Sequence, residues 1–228
     1  MTTLLLVRHG RTQYNAGHAL AGWTPGVGLD ETGREQAAGL ARRLRGSSLA
    51  AVVTSPLQRC LETVAALRDH GVAAPAPTID DRFGECRYGD WTGRELKELR
   101  AEPAWHTVQH YPSAAVFPDG EGLADVQSRA TTAIRDWRTR VRAEHGEDAI
   151  WLVCSHEDVI KTVVADVIGL HLDLFQRITV SNAAVTAVRF TLERPYLLRL
   201  NDSGTEALEL GKVKVRAGQS PPKNARSS

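Results

Sequence analysis

Leu4 to Val7 is an uninterrupted apolar run closed by Arg8, the pattern of a strand buried on both faces. The same pattern returns at Ala51 to Thr54 and at Ala149 to Cys154. Helical stretches lie between these runs. Thr32 to Leu44 is rich in Ala, Leu, Glu, Gln and Arg. A second helix is expected from Ser55-Pro56 to about His70, with Ser55 as N-cap and Pro56 in the first helical position. Glu121 to Glu144 and Asp158 to Ile168 read as further helices. Residues 71–78 read as a loop, with a short strand near Thr78-Ile79. Ala184 to Thr191 and Tyr196 to Asn201 read as late strands, antiparallel at an edge. Helices alternating with buried strands predict a three-layer α/β/α sandwich around a mainly parallel, Rossmann-like sheet. Residues 86–120 break the alternation and hold Tyr88, Trp91, Trp105 and Tyr111. They are expected to form a small insertion over the carboxyl ends of the strands. We read residues 1–216 as one domain and the polar residues 217–228 as a disordered tail.

Composition narrows the setting. A chain of 228 residues with 42% hydrophobic content can bury a full core. The formal net charge of +1 supplies no global basic field, so nucleic acid is not an expected partner. No apolar run reaches bilayer length, and the first residues lack a basic n-region and a cleavage site. No membrane association is expected. Cys60, Cys86 and Cys154 form no CxxC pair, which argues against a disulfide framework or zinc site and for a reducing cytoplasm. Carboxylates do not cluster with metal spacing, and no metal or other cofactor is expected. Exposed aromatics in the insertion leave a homodimer open.

The chemistry lies where the buried runs end. The first enters Arg8-His9-Gly10, the second Ser55-Pro56 with Arg59 one turn later, and the third Ser155-His156. Ligands of open α/β sheets bind beyond the carboxyl ends of the strands, so two histidines and two arginines converge. Two guanidiniums clamp a tetrahedral anion, and helix N-termini add backbone N–H groups. A neutral imidazole beside phosphate can attack it, and nearby arginines disfavour imidazolium. A second histidine can donate to the phosphoryl oxygens in the transition state. Glu85, in a loop rich in aromatics, is a candidate acid and base with a raised pKa. A histidine at a strand end is as a type more often structural, and Glu85 read alone is equally an exposed loop carboxylate. The cysteine-phosphatase loop, GxxxxGK[ST], GxSxG and HExxH are all absent.

Arg8-His9-Gly10-Arg11-Thr12 with Asn15 resembles the RHGxTxxN signature of the histidine phosphatase superfamily, also called phosphoglycerate-mutase-like. The resemblance continues in order through Ala21-Gly22-Trp23, Leu29-Asp30-Glu31-Thr32-Gly33, Thr54-Ser55-Pro56 with Arg59, and Glu85 with Tyr88-Gly89-Asp90-Trp91-Thr92-Gly93. It ends with Phe117-Pro118-Asp119-Gly120-Glu121 and Ser155-His156. RHG alone is a weak signal; the ordered series is a strong one. Glu102-Pro103-Ala104-Trp105 and Leu172 to Arg177 are further similar to a subgroup described as phosphomutases or acid phosphatases. The resemblance implies that His9 is the phosphorylated nucleophile and Glu85 the proton donor. It implies that Arg8, Arg59 and His156 complete the phosphate pocket, assisted by Asn15, Gly22 and the backbone of Glu157. The family usually has glycine where Glu157 stands, and we expect this carboxylate to point outward to solvent.

The function expected is hydrolysis of phosphomonoesters of small metabolites through a phosphohistidine. A mutase must exclude water from its intermediate, and the lid segment here is short for that task. A phosphoglycerate-mutase-like phosphomutase is the alternative. A phosphate-binding regulatory module with impaired catalysis is the third reading, prompted by Glu157.

Overall fold

The computed structural model describes residues 1–208; the expected tail at 217–228 lies outside them. Its strands are β1 (Thr2–Arg8), β2 (Ala51–Thr54), β3 (Thr78–Ile79), β4 (Ile150–Ser155), β5 (Val185–Phe190) and β6 (Pro195–Asp202). Its α-helices are α1 (Gln13–Ala16), α2 (Glu31–Leu44), α3 (Gln58–Asp69), α4 (Leu96–Leu99), α5 (Trp105–His110), α6 (Leu123–His145) and α7 (Glu157–Ile168). The strands form one sheet in the order β3-β2-β4-β1-β5-β6. β1, β2, β3 and β4 run parallel, while β5 is antiparallel to β1 and β6 to β5. The late strands are thus antiparallel as expected, but only β6 lies at the edge.

Alternation along β1 makes the three layers. Leu4 and Leu6 face the core shared with α6 and α7, including Val126, Ile134, Ile160 and Val164. Leu5 and Val7 face the core shared with α2 and α3, including Leu40, Leu44, Val64 and Leu67. A strand sandwiched this way must be apolar at every position, which is why β1, β2 and β4 read as continuous runs. Trp91, Leu99 and Phe117 extend the α6/α7 core into residues 86–120, so the insertion is anchored rather than appended.

The helix starts adjust one expectation. α3 begins at Gln58 with Leu57 as a cap position lacking a side-chain bond, so Ser55 is not an N-cap and Pro56 is outside the helix. The Ser55 hydroxyl accepts from the Leu57 N–H at 3.3 Å and turns the chain before the helix begins. α2 is capped by Asp30, whose carboxylate accepts from the Gly33 N–H at 2.7 Å.

The loop after β1 is laced to that capped end. Asp30 N–H donates to the Arg11 carbonyl and Arg11 N–H to the Gln36 side chain. The approach leaves no room for a side chain: a Cβ on Gly33 would lie 2.0 Å from the Arg11 carbonyl oxygen, and one on Gly10 would lie 2.5 Å from that of Gly33. Gly39, in the same helix, is open by comparison, since a Cβ there would meet only the Arg42 guanidinium at 3.6 Å. Gly33→Ala should therefore destabilise by about 1–3 kcal/mol, as overpacking does. Gly39→Ala should stabilise by up to about 1 kcal/mol, through helix propensity. Thermal melts should move in opposite directions for the two variants; equal shifts would mean that the Arg11–Gly33 contact is not tight.

Candidate active site

β1, β2 and β4 deliver their carboxyl ends to one place. His9 is 3% exposed, Arg59 2% and His156 0%. The ring centroids of His9 and His156 lie 5.1 Å apart. The His9 Nδ1–H faces the Gly10 carbonyl at 2.7 Å, which leaves the lone pair on Nε2. Arg59 Nε–H donates toward that Nε2 at 3.3 Å. The nucleophile candidate thus has a fixed tautomer and a cation at its reactive nitrogen. Its pKa falls well below the usual histidine value, first through burial, then through Arg59 and Arg8.

His156 is held from behind. Its Nε2 lies 2.7 Å from Ser55 Oγ and 3.5 Å from Cys60 Sγ. The Cys60 thiol faces the Ser155 carbonyl, and Ser55 has its own hydroxyl proton for Nε2. The ring proton then sits on Nδ1, toward the site. That Nδ1 is buried and has no hydrogen-bond partner, and the same holds for Arg8 Nε and Arg59 Nη1. Burial, then Arg59, keeps His156 neutral, with its pKa well below the ordinary value.

Each arginine is aimed by its other nitrogens. Arg59 Nη2 donates to the Gly22 carbonyl at 2.8 Å. Gly22 has φ +50°, and a Cβ there would lie 3.1 Å from Thr92 Oγ1, so glycine is what lets this carbonyl reach inward. Arg8 Nη1 donates to the Val180 carbonyl at 2.6 Å and pairs with Glu157 Oε2 at 2.7 Å. Asn15 commits its Oδ1 to Thr12 and to Asn182 Nδ2, leaving its own amide for a ligand.

Glu85 Oε2 stands 3.8 Å from His156 Nδ1, and Oε1 accepts from the Cys86 N–H at 2.9 Å. Its loop is pinned: the Glu85 carbonyl accepts from Trp23 Nε1 and Arg129 Nη2, and Ser155 Oγ donates to the Phe83 carbonyl. Burial, then the Asp158 carboxylate, pushes the Glu85 carboxyl up to about 7. The aromatic shielding expected of Glu85 is therefore joined by a second buried acid, which accepts from Tyr88 OH at 2.7 Å.

Arg8, His9, Arg59, Glu85 and His156 are brought together, with Gly22 reaching the set through its carbonyl. Glu157 corrects the reading from sequence. Its carboxylate, still 35% exposed, is not free in solvent but bridges Arg8 and Lys161, the latter at 2.5 Å. Arg8 and Lys161 flank the first turn of α7, and a side chain there finds two cations nearer than bulk water. Sequence reasoning missed Ser55 as the partner of His156, Asp158 beside Glu85, and Asn182, which also donates to the His9 carbonyl at 3.1 Å. For Ser55, the local pattern of a helix cap masks the distant partner. For Asp158, nearness to His156 in the chain is a signal, but burial is not. Among the described residues, no group of three or more His, Cys, Asp or Glu is placed to hold a metal ion, and no helix is long and apolar enough to cross a membrane.

Unpartnered donors around a neutral imidazole, at the carboxyl end of a parallel sheet, are the apparatus of a phosphoryl-transfer enzyme. Comparison with known proteins agrees, and sets the class more narrowly. The family model of the histidine phosphatase superfamily, branch 1, matches residues 4–203, and the chain belongs to that superfamily. A glucosyl-3-phosphoglycerate phosphatase of Mycolicibacterium vanbaalenii is 31% identical over 75% of this chain and 76% of its own length. Phosphoserine phosphatase 1 of Hydrogenobacter thermophilus is 28% identical over 88% of this chain and 92% of its own. The solved structure of Bacillus stearothermophilus YhfR superposes with a TM-score of 0.80 at 30% identity, covering 89% of this chain and 98% of that one.

The shifts give a pH prediction. If Glu85 must carry a proton, turnover of alkyl phosphates should fall as pH rises through its raised pKa. Asp158→Asn removes a neighbouring negative charge, favours the Glu85 anion and should move that alkaline limb to lower pH. A limb that stays in place in the variant would show that Asp158 does not tune Glu85.

Proposed function

We propose that this chain is a phosphoric monoester hydrolase that acts on phosphorylated small metabolites through a phosphohistidine at His9. The observation that carries the reading is that three buried donors without a partner, Arg8 Nε, Arg59 Nη1 and His156 Nδ1, belong to the three residues that stand beside His9. Three such donors suit the oxygens of one tetrahedral anion.

The geometry supports a two-step mechanism. Phosphate oxygens take the arginine donors, His156 Nδ1–H, the Asn15 amide and the backbone N–H of Glu157 at the start of α7. His9 Nε2 attacks phosphorus, the bond to the ester oxygen breaks, and Glu85 gives that oxygen its proton. Glu85, now a carboxylate, takes a proton from the water that attacks phosphohistidine, and phosphate leaves with His9 restored. Gly22 acts through Arg59, and Ser55 positions His156. Hydrolysis is favoured over the mutase reading because the lid helices α4 and α5 have only 4 and 6 residues. The complete donor set argues against a purely regulatory module. The three free, buried thiols fit a cytoplasmic setting, and a homodimer would form on the insertion, where Tyr111 and Val116 are exposed.

His9→Ala should abolish turnover and leave the far-ultraviolet circular dichroism unchanged. Brief mixing of the intact enzyme with labelled substrate should place one acid-labile phosphoryl group on His9. A label on serine or cysteine would refute the mechanism. Product that retains all substrate phosphate, under stimulation by a bisphosphorylated sugar acid, would establish the mutase.

Glu85→Gln should slow alkyl phosphates by about 10²–10⁴-fold, the usual worth of general acid catalysis. It should slow nitrophenyl phosphate much less, because that leaving group departs without a proton. Equal losses on both substrates, with chemistry rate-limiting, would remove Glu85 from the acid role.

A further inference from the structure

Two loops of the site, far apart in the chain, meet at one indole. Gly22 and Trp23 lie between α1 and α2, and Gly84 and Glu85 lie in the segment after β3. Gly22 turns its carbonyl to Arg59 Nη2 at 2.8 Å, and the next residue, Trp23, donates from Nε1 to the Glu85 carbonyl at 2.6 Å. The half-buried ring is closely fitted. A Cβ on Gly84 would lie 2.3 Å from Trp23 Cζ2, so the indole rests on bare backbone. The Arg87 guanidinium covers the ring, 3.9 Å from its centroid.

The peptide that the indole holds also aims the Glu85 carboxylate. The Glu85 carbonyl and the Cys86 N–H belong to one plane. Trp23 fixes its oxygen, and its N–H donates back to Glu85 Oε1 at 2.9 Å. Oε2 is left facing His156 Nδ1 at 3.8 Å. A rotation of this plane would therefore swing the carboxylate. Arg129 Nη2 also donates to the Glu85 carbonyl, at 3.2 Å, but the same nitrogen serves Glu121 Oε2 at 3.0 Å. The indole N–H has one proton and gives it to the Glu85 carbonyl alone, over the shorter distance.

Resting on the phosphatase reading of the site and on Glu85 as its acid, we propose that Trp23 is a positioning residue that acts through this one peptide plane. Its N–H locks the plane, the plane directs Glu85 Oε1, and Oε2 is presented to the leaving oxygen. Trp23 also ties the acid to the cation that grips phosphate, because its chain neighbour Gly22 holds Arg59. The proton donor and the anion clamp thus keep a fixed spacing although they come from separate loops.

Trp23→Phe keeps an aromatic ring and removes only the donor, and a melting curve checks the fold. Turnover of an alkyl phosphate should fall about tenfold, ~1.4 kcal/mol, while nitrophenyl phosphate slows much less. The alkaline limb of alkyl-phosphate turnover should move to higher pH, because the Cys86 N–H favours the Glu85 anion and its alignment is loosened. The other groups that face Glu85, namely Asp158, Arg59, Arg8 and His156, are untouched by the substitution. Inhibition by inorganic phosphate should stay within about twofold, since Gly22 still holds Arg59. In Trp23→Phe/Glu85→Gln, the Phe substitution should cost nothing further on the alkyl ester, because its effect runs through Glu85. Equal losses on both substrates, an unmoved limb, or additive losses in the double variant would overturn the proposal while leaving Glu85 as the acid. Equal slowing of both substrates by Glu85→Gln alone would remove the acid role and this proposal with it. Release of phosphate from neither ester by the unaltered protein would overturn the phosphatase reading and the proposal together.

Discussion

The structure turns on one constraint: Arg59 is a guanidinium buried to 2% exposure with no carboxylate partner among the described residues. A buried cation of this kind is costly unless its donors are satisfied. The protein satisfies two nitrogens, one on the Gly22 carbonyl and one on His9 Nε2, and leaves the third unpartnered. Each unmet buried donor costs on the order of 1–3 kcal/mol. The double core around β1 and β4 offsets that cost and keeps the site from collapsing on itself. A phosphate bound there meets donors already oriented, so little reorganisation accompanies the reaction.

The same burial sets three protonation states in the directions the chemistry needs. Removing water disfavours charge, so it lowers both histidines and raises the carboxyl. The arginines reinforce the first effect and hold the His9 ring neutral. Near Glu85 they oppose the second, since Arg59 and Arg8 both favour the anion. Asp158 supplies the opposing charge. One desolvated pocket thereby holds neutral imidazoles beside a carboxyl whose pKa is raised to about 7, through the balance of two arginines and a second buried acid.

Much of this is legible in the sequence. The continuous apolar runs announce strands buried on both faces, and their endings announce which residues meet. Arg8, His9, Arg59 and His156 can be placed because strand ends of an open sheet share one side. The Ser55 role is not legible, because Ser-Pro before a helix carries the same local signal whether the serine caps it or serves a partner 101 positions away. Asp158 is hidden for a similar reason. An acid in the first turn of a helix is usually explained by the dipole, and only the packing of Tyr88 against it shows that it is buried. Long-range partners of short polar side chains leave no periodicity to read.

Glu157 shows where such reasoning has its limit. Local physics pulls this residue in two directions. The helix start favours an acid there, a phosphate nearby disfavours one, and an outward side chain satisfies both. The deciding neighbour is Lys161, one turn later on the same face, together with Arg8 Nη1. A carboxylate between two cations repels a nearby anion less than a bare charge would, while it keeps part of its surface in water. It becomes part of the frame of the site, holding the Arg8 guanidinium beside His9 from the first turn of α7.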